Sequence, residues 1–173
     1  SDARPSRLAL KLAIVLPFLN AERGQGANRE VSVDAQYISG DIVQYSLVVH
    51  KEAEADLEAL WATDEAAAAL VTVLLEELEG DQVLLDALTD HKFKRDTDPR
   101  FDVSRWESFW HQGKDLWRLR PYFEFGNGPS CRVIYAYLPK RRRYCVLAIV
   151  PRDFDYDPQH SITRRIIASY DLL

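Results

Sequence analysis

The sequence predicts an α+β domain: an antiparallel sheet core with a helical hairpin packed on it and a helix at the C-terminal end. Three observations predict it. Short apolar runs at 116–120, 131–137 and 146–156 follow one another in the last third, each rich in β-branched or aromatic residues and bounded by Gly, Pro, Asn or charged residues. A strand-like run at 42–49 passes straight into segments of helical period. Ile162, Ile166, Ile167 and Tyr170 recur at helical spacing behind Asp157-Pro158 and Ser161.

Taken in order, residues 1–41 form an extension. It holds an apolar stretch at 8–19, a Gly24-Gln25-Gly26 break and a strand-like run at 30–38. The domain proper is expected over 42–173. Its first strand, 42–49, leads into a helix at 51–62 with Leu57, Leu60 and Trp61 inward. Thr63 or Asp64 caps a second helix at 65–79, whose stripe is Leu70, Val71, Leu74, Leu75 and Leu78. Gly80-Asp81 ends it, and a further turn or two covers 82–88. Residues 89–104 show no periodicity and are expected to be a long loop. Trp106, Phe109 and Trp110 are expected in a strand or an aromatic plug at 105–111. Three strands and the last helix, 162–170, complete the order.

At 173 residues, 47% hydrophobic and 28% charged, the composition is that of an ordinary globular chain with one compact domain and an appendage. The two cysteines, Cys131 and Cys145, fall in adjacent predicted strands and are expected to be reduced core thiols, which favours the cytoplasm. Lys11 and Pro17 interrupt the apolar stretch at 8–19, which is too short to cross a bilayer, so no membrane span or leader is expected. There is no Walker loop, dinucleotide fingerprint or zinc-ligand spacing, so no cofactor or metal is expected.

The formal charge of −5 conceals a division. Residues 51–90 carry twelve acidic side chains against Lys51 alone, whereas residues 92–152 carry fourteen Lys and Arg against six Asp and Glu. A polyanion is drawn to one part of such a molecule, although acidic helices and basic strands that simply offset one another are the plainer reading. Within the basic part, Arg118 and Arg120 project from one face of their strand, since side chains alternate. Two cations so placed can straddle a phosphodiester. Arg132 and Arg152 converge only if the turn near Pro139 is odd-length or a bulge intervenes; an even, regular hairpin sets them on opposite faces. Tyr122, Phe123, Phe125, Phe154 and Tyr156 are candidates for base stacking, with at least half of them expected in the core. Lys140, Arg141, Arg142 and Arg143 form a solvated hairpin tip able to grip RNA backbone.

On these residues the stretch from 43 to 171 resembles the RelE/ParE superfamily of bacterial toxins, a microbial RNase-like fold with a β–α–α–β–β–β core and often a last helix. The resemblance is most specific at 116–120, 132–137 and 146–156. It implies a type II toxin–antitoxin toxin that enters the ribosomal decoding site and cuts messenger RNA, neutralised by a cognate antitoxin. It implies roles at the catalytic centre for Arg118, Arg120, Arg132, Arg152 and Tyr156. The reaction is attack of a ribose 2′-hydroxyl on the adjacent phosphodiester. Many such sites carry lysine where this chain has Arg118 and Arg120. Arginine steadies a phosphorane but does not release its proton at neutral pH, so the general base stays open among Tyr156, His160, Asp153 and Asp155. His160 suits a proton shuttle by its ordinary pKa; His50, His91 and His111 are weaker. The alternative within the fold is a ParE-like, non-catalytic inhibitor of DNA gyrase. The extension at 1–41 could pack on the core, imitate an antitoxin segment, or mediate a homodimer.

Overall fold

The computed structural model describes residues 44–90, 100–122 and 131–173. The extension at 1–41, with its apolar stretch and strand-like run, lies outside the described residues, as do His91, Phe123 and Phe125.

Strand β1, Ser46–Val49, hands over to helix α1, Lys51–Thr63, through His50, whose Nδ1 accepts the Glu52 N–H. Asp64 closes α1 and opens helix α2, Glu65–Gly80, its carboxylate accepting from Ala67 N at 3.0 Å. An aspartate there satisfies donors that the first turn leaves orphaned. Helix α2 buries Ala67, Ala68, Val71, Leu74, Leu75 and Leu78. Asp81 repeats the device, capping the short helix α3, Gln82–Asp86, which runs on into a 3₁₀ turn over Ala87–Thr89.

The segment expected to be a loop contains strand β2, Phe101–Arg105. Phe101 and Val103 face inward and alternate with Asp102 and Ser104. With two apolar residues in an otherwise charged stretch, this is the signature of a short edge strand. Trp106 and Phe109 are buried and form a plug built as one helical turn, α4, Glu107–Trp110. Gly113, at φ +77°, turns the chain back into β3, Leu116–Pro121. Strand β4, Cys131–Leu138, and strand β5, Arg143–Pro151, form a hairpin whose tip is a 3₁₀ turn over Pro139–Arg141. Helix α5, Ser161–Asp171, ends the chain.

The five strands lie in the order β1-β5-β4-β3-β2. The sheet is mixed rather than antiparallel throughout, because β1 runs parallel to β5, with Ser46 opposite Arg143 and Val49 opposite Val146. A parallel neighbour needs a crossover, and here the crossover is the helical hairpin and three strands together. Helix α1 packs on β5, and α2 packs on β1 and β3. On that side the Tyr135 hydroxyl, from β4, reaches Leu88 O at 2.6 Å. On the other side α5 lays Ile162, Ile166, Ile167 and Tyr170 against Leu116, Ile134, Ala136, Ala148 and Val150. Cys131 and Cys145 are free and buried. Burial pushes the Cys131 thiol up to about 11, with Asp64 adding to the shift, and raises Cys145 as well. Among the described residues no helix is long and apolar enough to cross a membrane.

Candidate functional site

The sheet register decides which arginines meet. Arg118 stands between Ser104 of β2 and Ile134 of β4, and Arg120 is opposite Asp102. Partners directly opposite one another project to the same side, so Arg118, Arg120 and, two residues before Ile134, Arg132 share the face that carries α5. On β5, Ile134 pairs with Ala148 but Tyr135 pairs with Val146, leaving Leu147 as a bulge. The bulge sets Val150, not Ile149, opposite Arg132, so the four-residue hairpin connection no longer separates Arg132 from the parity of Arg152. Arg152 itself falls one residue past the strand, exposed in the turn after Pro151.

Tyr156 stands over this face. Its hydroxyl accepts from Arg132 Nη1 at 3.0 Å, and the guanidinium carbons of Arg118 and Arg132 lie 5.0 and 5.7 Å from its ring centre. The ring is wedged edge-on against Trp106 at 5.0 Å and Phe154 at 4.8 Å. It is aimed there by a left-handed backbone, φ +62°, which a tyrosine adopts only when its surroundings compel it. Arg118 is steered from the other side, its Nη2 donating to Arg105 O at 3.0 Å. The Nε–H groups of Arg118 and Arg132 are shut away from solvent with no partner. No described carboxylate forms an ion pair with either. Two half-buried forks therefore face the same tyrosine with most of their donors unspent, the disposition that planar forks use to take anionic oxygens.

The remaining expected residues sit apart from this pair. The Arg120 guanidinium lies 5.1 Å from the Tyr122 ring, and Tyr122 in turn hydrogen-bonds Asp102, so these three mark the β2 edge. His160 is the N-cap of α5: its Nδ1 accepts from Ile162 N at 3.1 Å and its ring stands edge-on to Phe154. With Nδ1 accepting, the neutral ring carries its proton on Nε2, so service as a base would cost the cap. Asp155 and Asp157 are occupied in turns, accepting from Asp157 N and Gln159 N. Lys140, Arg141, Arg142 and Arg143 are exposed at the hairpin tip, with Arg142 left-handed at φ +51°. Among the described residues no group of three or more His, Cys, Asp or Glu is arranged to hold a metal.

Arg105 and Trp106 did not stand out as site residues in the sequence, although they hold Arg118 and Tyr156 in place. The alternation of Phe101 and Val103 leading up to them was the available signal. Searches against protein-family models, curated proteins and solved structures find no match to this chain.

Proposed function

We propose that the Arg118–Tyr156–Arg132 cluster binds a phosphodiester of RNA and that the protein is a ribosome-dependent messenger-RNA endonuclease of the RelE type. In this reading it is a toxin held in check by an antitoxin whose acidic side chains cover the arginines. The observation that carries it is the pair of guanidinium groups unpaired with any described carboxylate and gathered by one tyrosine. In the reaction the 2′-hydroxyl gives its proton to solvent, its oxygen forms a bond to phosphorus as the bond to the 5′-oxygen breaks, and the 5′-oxygen takes up a proton, leaving a cyclic phosphate and a free 5′-hydroxyl. Arg118 and Arg132 offset the charge that grows on the phosphorane oxygens. Tyr156, whose oxygen already accepts from Arg132, has its own proton to give toward the leaving oxygen. In this reading Arg152, exposed in the turn after β5, takes an adjacent phosphate, and the Lys140 to Arg143 tip takes ribosomal RNA backbone.

The second reading, a non-catalytic gyrase inhibitor, is favoured by one fact: the cluster is made of two arginines and a tyrosine and contains no histidine or carboxylate to serve as a base. The two readings separate in one experiment, cell-free translation with mapping of message ends beside a gyrase supercoiling assay. The nuclease reading expects cuts only in the presence of ribosomes. It expects Arg118→Ala and Arg132→Ala each to slow cutting on the order of a hundredfold, the scale for loss of one stabilising donor. Blocked supercoiling with intact message would overturn it.

A further inference from the structure

Opposite charges that face one another across a strand pair attract, yet one such couple on the arginine face stays apart. The register sets Asp102 of β2 directly opposite Arg120 of β3. The Asp102 carboxylate is taken instead by the Tyr122 hydroxyl, and the Arg120 guanidinium carbon stands 5.1 Å from the centre of the Tyr122 ring. Arg120 is half-buried and makes no hydrogen bond or ion pair with any described residue. The phenol thus occupies the anion and offers the cation its π-face, which steadies a guanidinium but leaves the N–H edges unspent.

This open fork adjoins the cluster already described. Arg118 and Arg120 are two residues apart on one strand and project to one side, about 6.5 Å from each other along it. Leu119 pairs with Val133, and Arg120 and Arg132 are the next residues from that pair toward the same end of the sheet, on strands about 4.8 Å apart. Three forks therefore occupy neighbouring positions on one face, two turned to Tyr156 and the third to Tyr122.

We infer that Arg120 takes a second phosphate of the same RNA strand, on the β2 side of the first, and that Tyr122 keeps this subsite open by holding Asp102; the inference rests on the phosphodiester reading above. Tyr122 is here a positioning residue. Without its hydroxyl the carboxylate is released to the arginine it faces, and an arginine paired within the sheet no longer displaces counterions from RNA.

The test uses the full chain and a labelled twelve-nucleotide RNA with 2′-O-methyl sugars, which cannot be cleaved. Binding is followed by fluorescence anisotropy across a range of salt. Arg120→Ala is expected to reduce the slope of log affinity against log salt by about 0.7, the share of one phosphate on a single strand. Should that variant fail to fold, Arg120→Gln, which keeps most of the stem, decides by the same readout. Tyr122→Phe should reproduce the loss, and adding Asp102→Asn to it should restore the parent slope. In an Arg120→Ala background neither Tyr122→Phe nor Asp102→Asn should move the slope, which separates release of the arginine from mere loss of a negative charge. A parent-like slope in the Arg120 variants overturns the second phosphate. A parent-like slope in Tyr122→Phe, a loss that Asp102→Asn does not rescue, or a rescue that persists without Arg120 overturns the part given to Tyr122. Arg118→Ala and Arg132→Ala report separately. If both match the parent in affinity and slope, the phosphodiester reading itself falls; if they lose slope while the Arg120 variants do not, that reading stands and the subsite alone is overturned.

Discussion

Tyr156 combines a strained backbone with a central position. A left-handed tyrosine costs about 1–3 kcal/mol, and the ring contacts with Trp106 and Phe154 together with the Arg132 bond offset that cost. Tyr156→Phe keeps the ring and loses only the acceptor, so thermal unfolding should report a loss of about 1.5–3 kcal/mol, the range for a bond to a charged donor. Tyr156→Ala keeps the strain and loses the packing, and should cost about 3 kcal/mol or more. A second residue-scale expectation concerns Asp115, whose carboxylate accepts the Trp117 indole N–H at 2.6 Å. Burial raises its pKa above the ordinary 3.8, against the indole bond and the Arg105 charge, which lower it. A raised acid binds its proton more tightly in the folded state, so its favourable contribution is complete below 3.8 and is lost as pH climbs through the raised value. Asp115→Asn retains an acceptor for the indole but cannot titrate. Measured by denaturant unfolding, the stability of the parent relative to this variant should be level below pH 3.8 and decline above it. A difference that stays flat, or grows with pH, contradicts the assignment.

At the scale of elements, the edge of β5 beyond its pairing with β1 is closed by a side chain. Asp56, from α1, accepts Ile149 N at 3.0 Å and is clasped by both terminal nitrogens of Arg165 from α5, at 2.8 and 2.6 Å. One carboxylate thus ties two helices on opposite sides of the sheet to the strand between them. Asp56→Ala strands a backbone donor and a guanidinium together and should cost about 2–4 kcal/mol. Asp56→Asn, which still accepts one bond, should cost visibly less in the same denaturant titration. Equal costs would mean that the clasp contributes by shape alone. The strands around this clasp were legible in the sequence because each is a compact apolar run between breakers. The bulge was not, since Val146, Leu147, Ala148, Ile149 and Val150 are uniformly apolar and no residue marks which one is extra. Whether Arg132 and Arg152 share a side of the sheet therefore stayed conditional on the pairing. Strand β2 was missed for the opposite reason: its alternation was present but spanned two apolar residues in a charged stretch.

Across the whole molecule, the acidic segment forms α1 to α3, which cover one side of the sheet with their polar faces outward, while Arg118, Arg120 and Arg132 occupy the other side. Charges of opposite sign thus lie across a packed layer, and a polyanion is steered toward one side. The division was legible from the sequence as a count, and its sidedness came with the register. The α+β class and the helical hairpin were legible too; the parallel pairing of β1 was not, because its partner lies far along the chain. Packing also governs the thiols. With Cys131 pushed to about 11 by burial, an aromatic disulfide reagent at pH 8 should modify the folded protein only as fast as it opens, and denaturant should accelerate the reaction by orders of magnitude. Prompt reaction of the native protein would place the thiol at the surface.

The β1–β5 pairing joins residues separated by roughly a hundred positions, the kind of distant contact that slows folding because a large loop must close before anything is gained. During synthesis β1 and the helical hairpin emerge early and wait, and the last pieces of the cationic face, β5 and Tyr156, leave the ribosome after everything else they touch except α5. The contacts among Arg118, Arg132 and Tyr156 can therefore form only after the chain has been made past residue 156, well after β1 and the helical hairpin.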